Sequence, residues 1–210
     1  RATQADAQEL ACWAVDHLSN VIGFDCAWYG WAKLNVQDIE IYANATLSLP
    51  EKYYRDWKDM SDQDLLAIGV LSNPNRVATY DRRGSDQTEG MVALSDGYGL
   101  NKMATAMHLK PGQLASFYLS SYRSGKLARN WSEDECVFLK CAIDQLSNAL
   151  ELTANVNLPQ SQSQSQTVTI FANEDGHGIL GLENLKDHLS KHLSNWDGER
   201  LPKSLREIMN

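Results

Sequence analysis

The sequence predicts an α+β domain, an antiparallel sheet with helices on its faces. Three observations carry this. The element order is helix, two strands, helices, a strand, two more strands and a closing helix. Two strand pairs are joined through short polar or Pro-Gly turns, the connection antiparallel neighbours use. A long capped helix over 132–153 then ends the domain. Strands that follow one another without an intervening helix do not build the βαβ units of a parallel sheet.

The chain opens on a helix over 3–20, where Ala7, Leu10, Ala14 and Leu18 form one face and Thr3 with Asp6 supplies a cap. Gly23 breaks it. The aromatic stretch 24–34 and the alternating stretch 38–43 read as a hairpin turning near Asn35. Pro50 sits at the first turn of a helix running to Trp57, which suits its missing N–H. A second helix is expected over 61–71, with Ser61 and Asp64 as the cap and Leu65, Ile68 and Leu71 as its face. Residues 76–80 make a short strand, and 85–99 a helix running into a loop at Ser95-Asp96-Gly97. A second hairpin spans 99–109 and 113–122, turning at Lys110-Pro111-Gly112.

The helix over 132–153 begins with Ser132 and Glu135, a capping-box pair, and adds Glu133 and Asp134 at its positive end. Leu139, Ile143, Leu146 and Leu150 recur at steps of three and four on one face. That stripe is either core or the seam of a homodimer. Beyond it, 159–166 is a Gln/Ser linker that buries no apolar surface. The segment 167–210 reads as a strand, a turn at Asn173 to Gly176, a short strand near Gly178 and a helix over about 182–193. It has too few apolar side chains to stand alone and is expected to dock elsewhere. The domain boundaries expected are therefore 1–158, 159–166 and 167–210.

Composition narrows the function classes. A formal net charge of −8 and a pI near 5.1 oppose nucleic-acid binding by these residues, because phosphate contacts dominate that affinity. No apolar run approaches the length of a membrane span and no signal-peptide pattern opens the chain, so a cytoplasmic setting is expected. The start at Arg1, without Met, points to a fragment or processed chain. Cys12, Cys26, Cys136 and Cys141 show no CxxC spacing and read as buried, reduced thiols. No GxSxG, P-loop or strand-linked GxGxxG is present. His188 and His192 have the spacing of two metal ligands, but no third ligand completes the set, so neither metal nor other cofactor is expected.

The aromatics offer the better lead. Trp28, Trp31, Tyr42, Tyr54 and Trp57 fall within thirty residues, across the first hairpin and the helix after it. They make either a large aromatic core or a pocket between sheet and helices, anchored by Asp64. These six residues are the candidate ligand site.

The ordered pattern resembles the sensor half of LuxR-type transcriptional regulators, whose fold is GAF/PAS-like. The carriers are Leu49-Pro50-Glu51 with Trp57 and Asp64-Leu65-Leu66, then Tyr98-Gly99-Leu100, Tyr118 through Arg123, and Trp131-Ser132-Glu133-Asp134-Glu135. In the tail, Trp196-Asp197-Gly198 and Arg200-Leu201-Pro202 are similar to the segment before the helix-turn-helix in one subgroup. In the family's acyl-homoserine-lactone receptors an aromatic and an aspartate hold the ligand's head group. The resemblance implies those roles for Trp57 and Asp64, with Leu65 standing where such receptors have proline. It implies a homodimeric sensory domain that reaches DNA only through a separate domain. A GAF-like protein–protein module and a small cysteine-dependent GAF-fold enzyme are the alternatives.

Overall fold

The computed structural model describes residues 7–34, 39–109, 115–156, 171–172, 177–180 and 200–201. The elements are α1 (Ala7–Leu18), β1 (Cys26–Leu34), β2 (Ile39–Leu47), α2 (Tyr53–Lys58), α3 (Leu65–Ser72), β3 (Ala78–Asp81) and α4 (Glu89–Tyr98). They continue with β4 (Leu100–His108), β5 (Ser116–Ser124), α5 (Glu133–Val156), β6 (Phe171–Ala172) and β7 (Gly178–Leu180). Five strands form one sheet in the order β2-β1-β5-β4-β3, with every neighbouring pair antiparallel. The two hairpins meet through β1 and β5, so the α+β prediction holds.

Period-two alternation gives the sheet two unlike faces. On one, Ala27 and Tyr29 of β1, Ala104 and Ala106 of β4, and Phe117 and Leu119 of β5 meet α1 and α5. On the other, Trp28, Met103, Met107, Tyr118 and Tyr122 meet α2, α3 and α4. Gly30 of β1 leaves no room for a side chain: a Cβ there would lie 2.0 Å from the carbonyl oxygen of Ala43.

Leu139, Ile143, Leu146 and Leu150 are all buried in the first of these cores, against the sheet and α1. Of the two readings open for this stripe, core of the same chain is the one its burial gives. A helix placed on a sheet must bury its one apolar stripe there, which leaves that stripe nothing to offer a partner. Among the described residues of α5, Val137 and Phe138 are the exposed large apolar ones.

The start of α5 is the capping box expected: Glu135 N–H donates to Ser132 Oγ (3.2 Å) and Ser132 N–H to Glu135 Oε2 (2.9 Å). Glu135 also receives Arg123, which is only 3% exposed, through Nη2 (2.8 Å). The same guanidinium donates to the carbonyls of Gly23 (2.8 Å), Ile22 (3.0 Å) and Asn130 (3.0 Å) and lies 3.9 Å over the Trp131 ring. One side chain on β5 thereby ties the α1–β1 turn to the start of α5. At the far end of the sheet, His108 of β4 (Nδ1, 2.8 Å) and Lys140 (2.5 Å) both meet Asp144 of α5.

Elsewhere the boundaries moved for local reasons. Ser61–Gln63 is a 3₁₀ turn and Asp64 is extended (ψ 100°), so α3 begins at Leu65 with Asp64 alone as its cap. The loop expected at Ser95-Asp96-Gly97 is the last turn of α4, which ends on Gly99 at φ +68°, a conformation suited to glycine. β2 runs to Leu47, because all of β1 back to Ala27 pairs with it. The turns at Asn35 and Lys110-Pro111-Gly112, the linker 159–166, the helix 182–193 and His188 and His192 lie outside the described residues. In the tail, β6 pairs with β7, and the His177 ring packs on Tyr42 of β2 (4.8 Å). Among the described residues no helix is long and apolar enough to cross a membrane.

Ile143→Ala should lower unfolding stability by about 3 kcal/mol, as a buried large-to-small change does, equally at all protein concentrations in chemical denaturation. A true dimer seam would make that loss concentration-dependent. Burial pushes the Glu135 carboxyl up, but hydrogen bonds from Arg129, Arg123 and the Ser132 N–H outweigh it and hold the group at about 2, below the ordinary 4.5. Glu135→Gln, which leaves Arg123 buried without its counterion, should therefore cost about 3 kcal/mol at neutral pH. Because the folded state takes up this proton at lower pH than the unfolded one, the wild-type advantage is complete above pH 4.5 and fades as pH falls towards 2.

Candidate functional site

Antiparallel register sets side chains of three strands in rows beneath α2 and α3. Trp28 of β1, Ser120 of β5 and Thr105 of β4 form one row. Gly30, Tyr118 and Met107 form the next. The helices close the other side. Between them lies a cavity of about 30 Å³ lined by Trp28, Ala32, Ile39, Ile41, Trp57, Asp64, Ala67, Val70, Thr105, Met107, Tyr118 and Ser120. That volume holds about one or two water molecules.

Asp64 is the charged group of this lining. It is 7% exposed, and its Oδ1 accepts the N–H groups of Leu66 (2.8 Å) and Ala67 (3.1 Å), which caps α3. Its Oδ2 accepts Trp57 Nε1–H at 2.8 Å. Burial pushes the carboxyl above its ordinary value in spite of these three donors. Trp57 is brought to Asp64 by α2, whose other buried aromatic, Tyr53, donates to the Tyr122 hydroxyl at 2.9 Å. Thr105 and Ser120 share a hydroxyl–hydroxyl bond of 2.8 Å. Tyr118 differs: it is 3% exposed, yet its hydroxyl has no hydrogen-bond partner among the described residues. A buried group left so costs about 1–3 kcal/mol of desolvation.

The six candidate residues do not form one site. Trp28, Trp57 and Asp64 line the cavity, with the Trp28 and Trp57 rings 4.7 Å apart. Tyr54 flanks it, half-buried, its ring 6.2 Å from Trp57 and 6.3 Å from Trp28. Trp31 stands on the opposite face of the sheet against Phe117 (5.1 Å), because it is an odd number of residues from Trp28. Tyr42 falls at the irregularity opposite Trp31 and Ala32, which takes it out of the alternation and under His177 of the tail. Ser120, Thr105 and Tyr118 were missed. Their period-two spacing on strands was visible, but the row they share with Trp28 depends on register.

The four cysteines are free thiols; Cys26 is buried, whereas Cys12 and Cys141 are exposed, contrary to expectation. Burial, with Asp25 beside it, pushes the Cys26 thiol up to about 12, and burial also raises Cys136. Neither has the environment that makes a thiolate nucleophile. Among the described residues no cluster of three acidic, histidine or cysteine side chains is placed to hold a metal. A larger open groove, about 550 Å³, runs beside Arg123 and Asp25, but those side chains are spent on Glu135, backbone carbonyls and Ser124.

No protein-family model and no curated protein matches this sequence. Solved structures do match in fold. The chain is similar to Escherichia coli SdiA in complex with octanoyl-rac-glycerol, at TM-score 0.56 and 12% identity over 97% of this chain and 79% of that one. It is similar to the N-acylhomoserine lactone dependent LuxR family factor CepR2 from Burkholderia cenocepacia, at 0.52 and 14% over 70% and 84%. A GAF domain/HD domain protein from Geobacter sulfurreducens gives 0.50 and 12% over 71% and 95%. These likenesses establish a shared GAF-like α+β fold.

Asp64→Ala removes a helix cap and orphans the buried Trp57 N–H. The combined cost should be about 2–4 kcal/mol by denaturation. Asp64→Asn, which keeps an acceptor for the cap, should lose less than half as much.

Proposed function

We propose that this chain is the sensory and dimerising part of a LuxR-type transcription factor, regulatory rather than catalytic. A small molecule enters between the sheet and the helices α2 and α3. The observation that carries this reading is the cavity itself, lined by aromatic side chains and by one buried carboxylate. The fold shared with SdiA and CepR2 supports it. In this reading the protein acts in the cytoplasm and reaches DNA through a separate DNA-binding domain.

The sheet supplies a route for the signal. Tyr118 and Ser120 face the cavity, while Phe117 and Leu119, between and beside them on β5, face the core that holds α5. A shift of β5 on ligand entry therefore bears directly on α5 and on the chain beyond it. The homodimer contact belongs to the outward face of α5, where Val137 and Phe138 are exposed. The same exposed pair favours the second reading, a GAF-like protein–protein module without ligand.

Native mass spectrometry of freshly purified protein separates the two. The sensory reading expects a dimer mass with a small molecule retained or accepted, and slower amide exchange in α5 when it is bound. Trp57→Phe should weaken that binding without changing the subunit count. A dimer that accepts no compound, with α5 exchange unaltered throughout, leaves only the interaction module.

A further inference from the structure

The tail meets the sheet at a histidine. His177 is 6% exposed, and its ring stands edge-on to Tyr42 of β2, 4.8 Å between centroids. On one side of the ring, Nδ1 lies 3.6 Å from Oε1 of Glu40, also on β2. On the other, Nε2 accepts the Nε–H of Arg200, and the backbones of His177 and Arg200 form a β-bridge. Leu201, next in the chain, is buried. Two distant points of the tail are thus brought together at one imidazole, on an edge strand of the sheet. The same strand carries Ile39 and Ile41 on the cavity wall.

These partners fix the protonation state of the ring. Arginine only donates, so its contact needs a lone pair on Nε2, hence a neutral imidazole with its proton on Nδ1, towards Glu40. A second proton, on Nε2, would remove that acceptor and set one N–H against another. It would also place a charge on a buried ring beside a guanidinium. Glu40 pulls the other way, but weakly. It lies beyond hydrogen-bond distance and its side chain is 42% exposed, so water screens the attraction. Lys33 stands opposite Glu40 in the β1–β2 register and adds a second cation near that carboxylate.

We infer that the tail is latched to β2 through neutral His177 and released when this imidazole takes up a proton. Histidine is the side chain suited to such a change, between about pH 5 and pH 8. Strands of two and three residues bury too little to persist as a pair, so β6 and β7 open with the latch. Protonation then acts on the strand that walls the cavity. This input goes beyond the sensory reading and holds whether or not a ligand binds.

Amide hydrogen exchange of the whole chain at about pH 7.5 and about pH 5.5, corrected for intrinsic rates, spans the histidine range and tests the latch. Gly178–Leu180 should exchange about tenfold or more faster at the lower pH, the scale of one lost hydrogen bond to a charged group. β1 and β5 should keep their protection. His177→Gln offers Arg200 a neutral acceptor that does not titrate, and should hold the slow exchange at both pH values. In the wild type, the His177 ring followed by NMR should gain its proton over the interval in which protection is lost. Undiminished protection at the lower pH overturns the inference, as does a loss shared by β1 and β5, or one repeated in His177→Gln. Should His177→Gln lack protection even at the higher pH, the two wild-type curves decide: coincidence upholds the latch, and separation overturns it.

Discussion

Every element of this domain answers to the fact that β1 and β5, at the centre of the sheet, are buried on both faces. A strand in that position has no side it can give to water, so each of its residues must find a protein neighbour. The odd residues of both strands require a cover, and α1 and α5 supply it with their apolar stripes. The even residues require another, and the short helices α2, α3 and α4 supply that. The two covers differ in kind. One is a pair of long helices packed through aliphatic side chains; the other is several short pieces closing over aromatics. The cavity lies under the second cover.

Arg123 shows how the ends of such a sandwich are joined. Loops at the sheet margin expose carbonyls with no strand partner, and a buried guanidinium with five donors can gather several of them. Here it collects Gly23, Ile22 and Asn130 together with the carboxylate of Glu135. The carboxylate is itself half of the capping box of α5. The helix start, the turn before β1 and the end of β5 are one electrostatic unit, and none of the three can shift independently.

Asp64 combines a structural and a proposed functional role in one carboxylate. Capping α3 and receiving Trp57 hold that helix and the Trp57 ring in place. The same residue lines the cavity that the proposed ligand would enter. A group that is fixed by three internal donors is a preorganised anchor, since binding then need not order it.

Local chemistry determined a large part of this structure. The α+β class, the two hairpins, the capping box at Ser132 and Glu135 and the apolar stripe of α5 all come from spacing, caps and turn residues, which act within a few residues of themselves. So does the nearness of Trp57 to Asp64, seven positions apart on consecutive short helices. Tertiary structure decided the rest. Whether the α5 stripe was core or seam depended on α1 and the sheet lying against it. Trp31 and Tyr42 parted from Trp28 through strand parity and a break in register, which no composition reveals. Ser120, Thr105 and Tyr118 joined the cavity only because β1, β5 and β4 align their rows, although β1 and β5 stand about ninety residues apart in the chain. Local periodicity says which residues share a face; only pairing between distant strands says which faces meet.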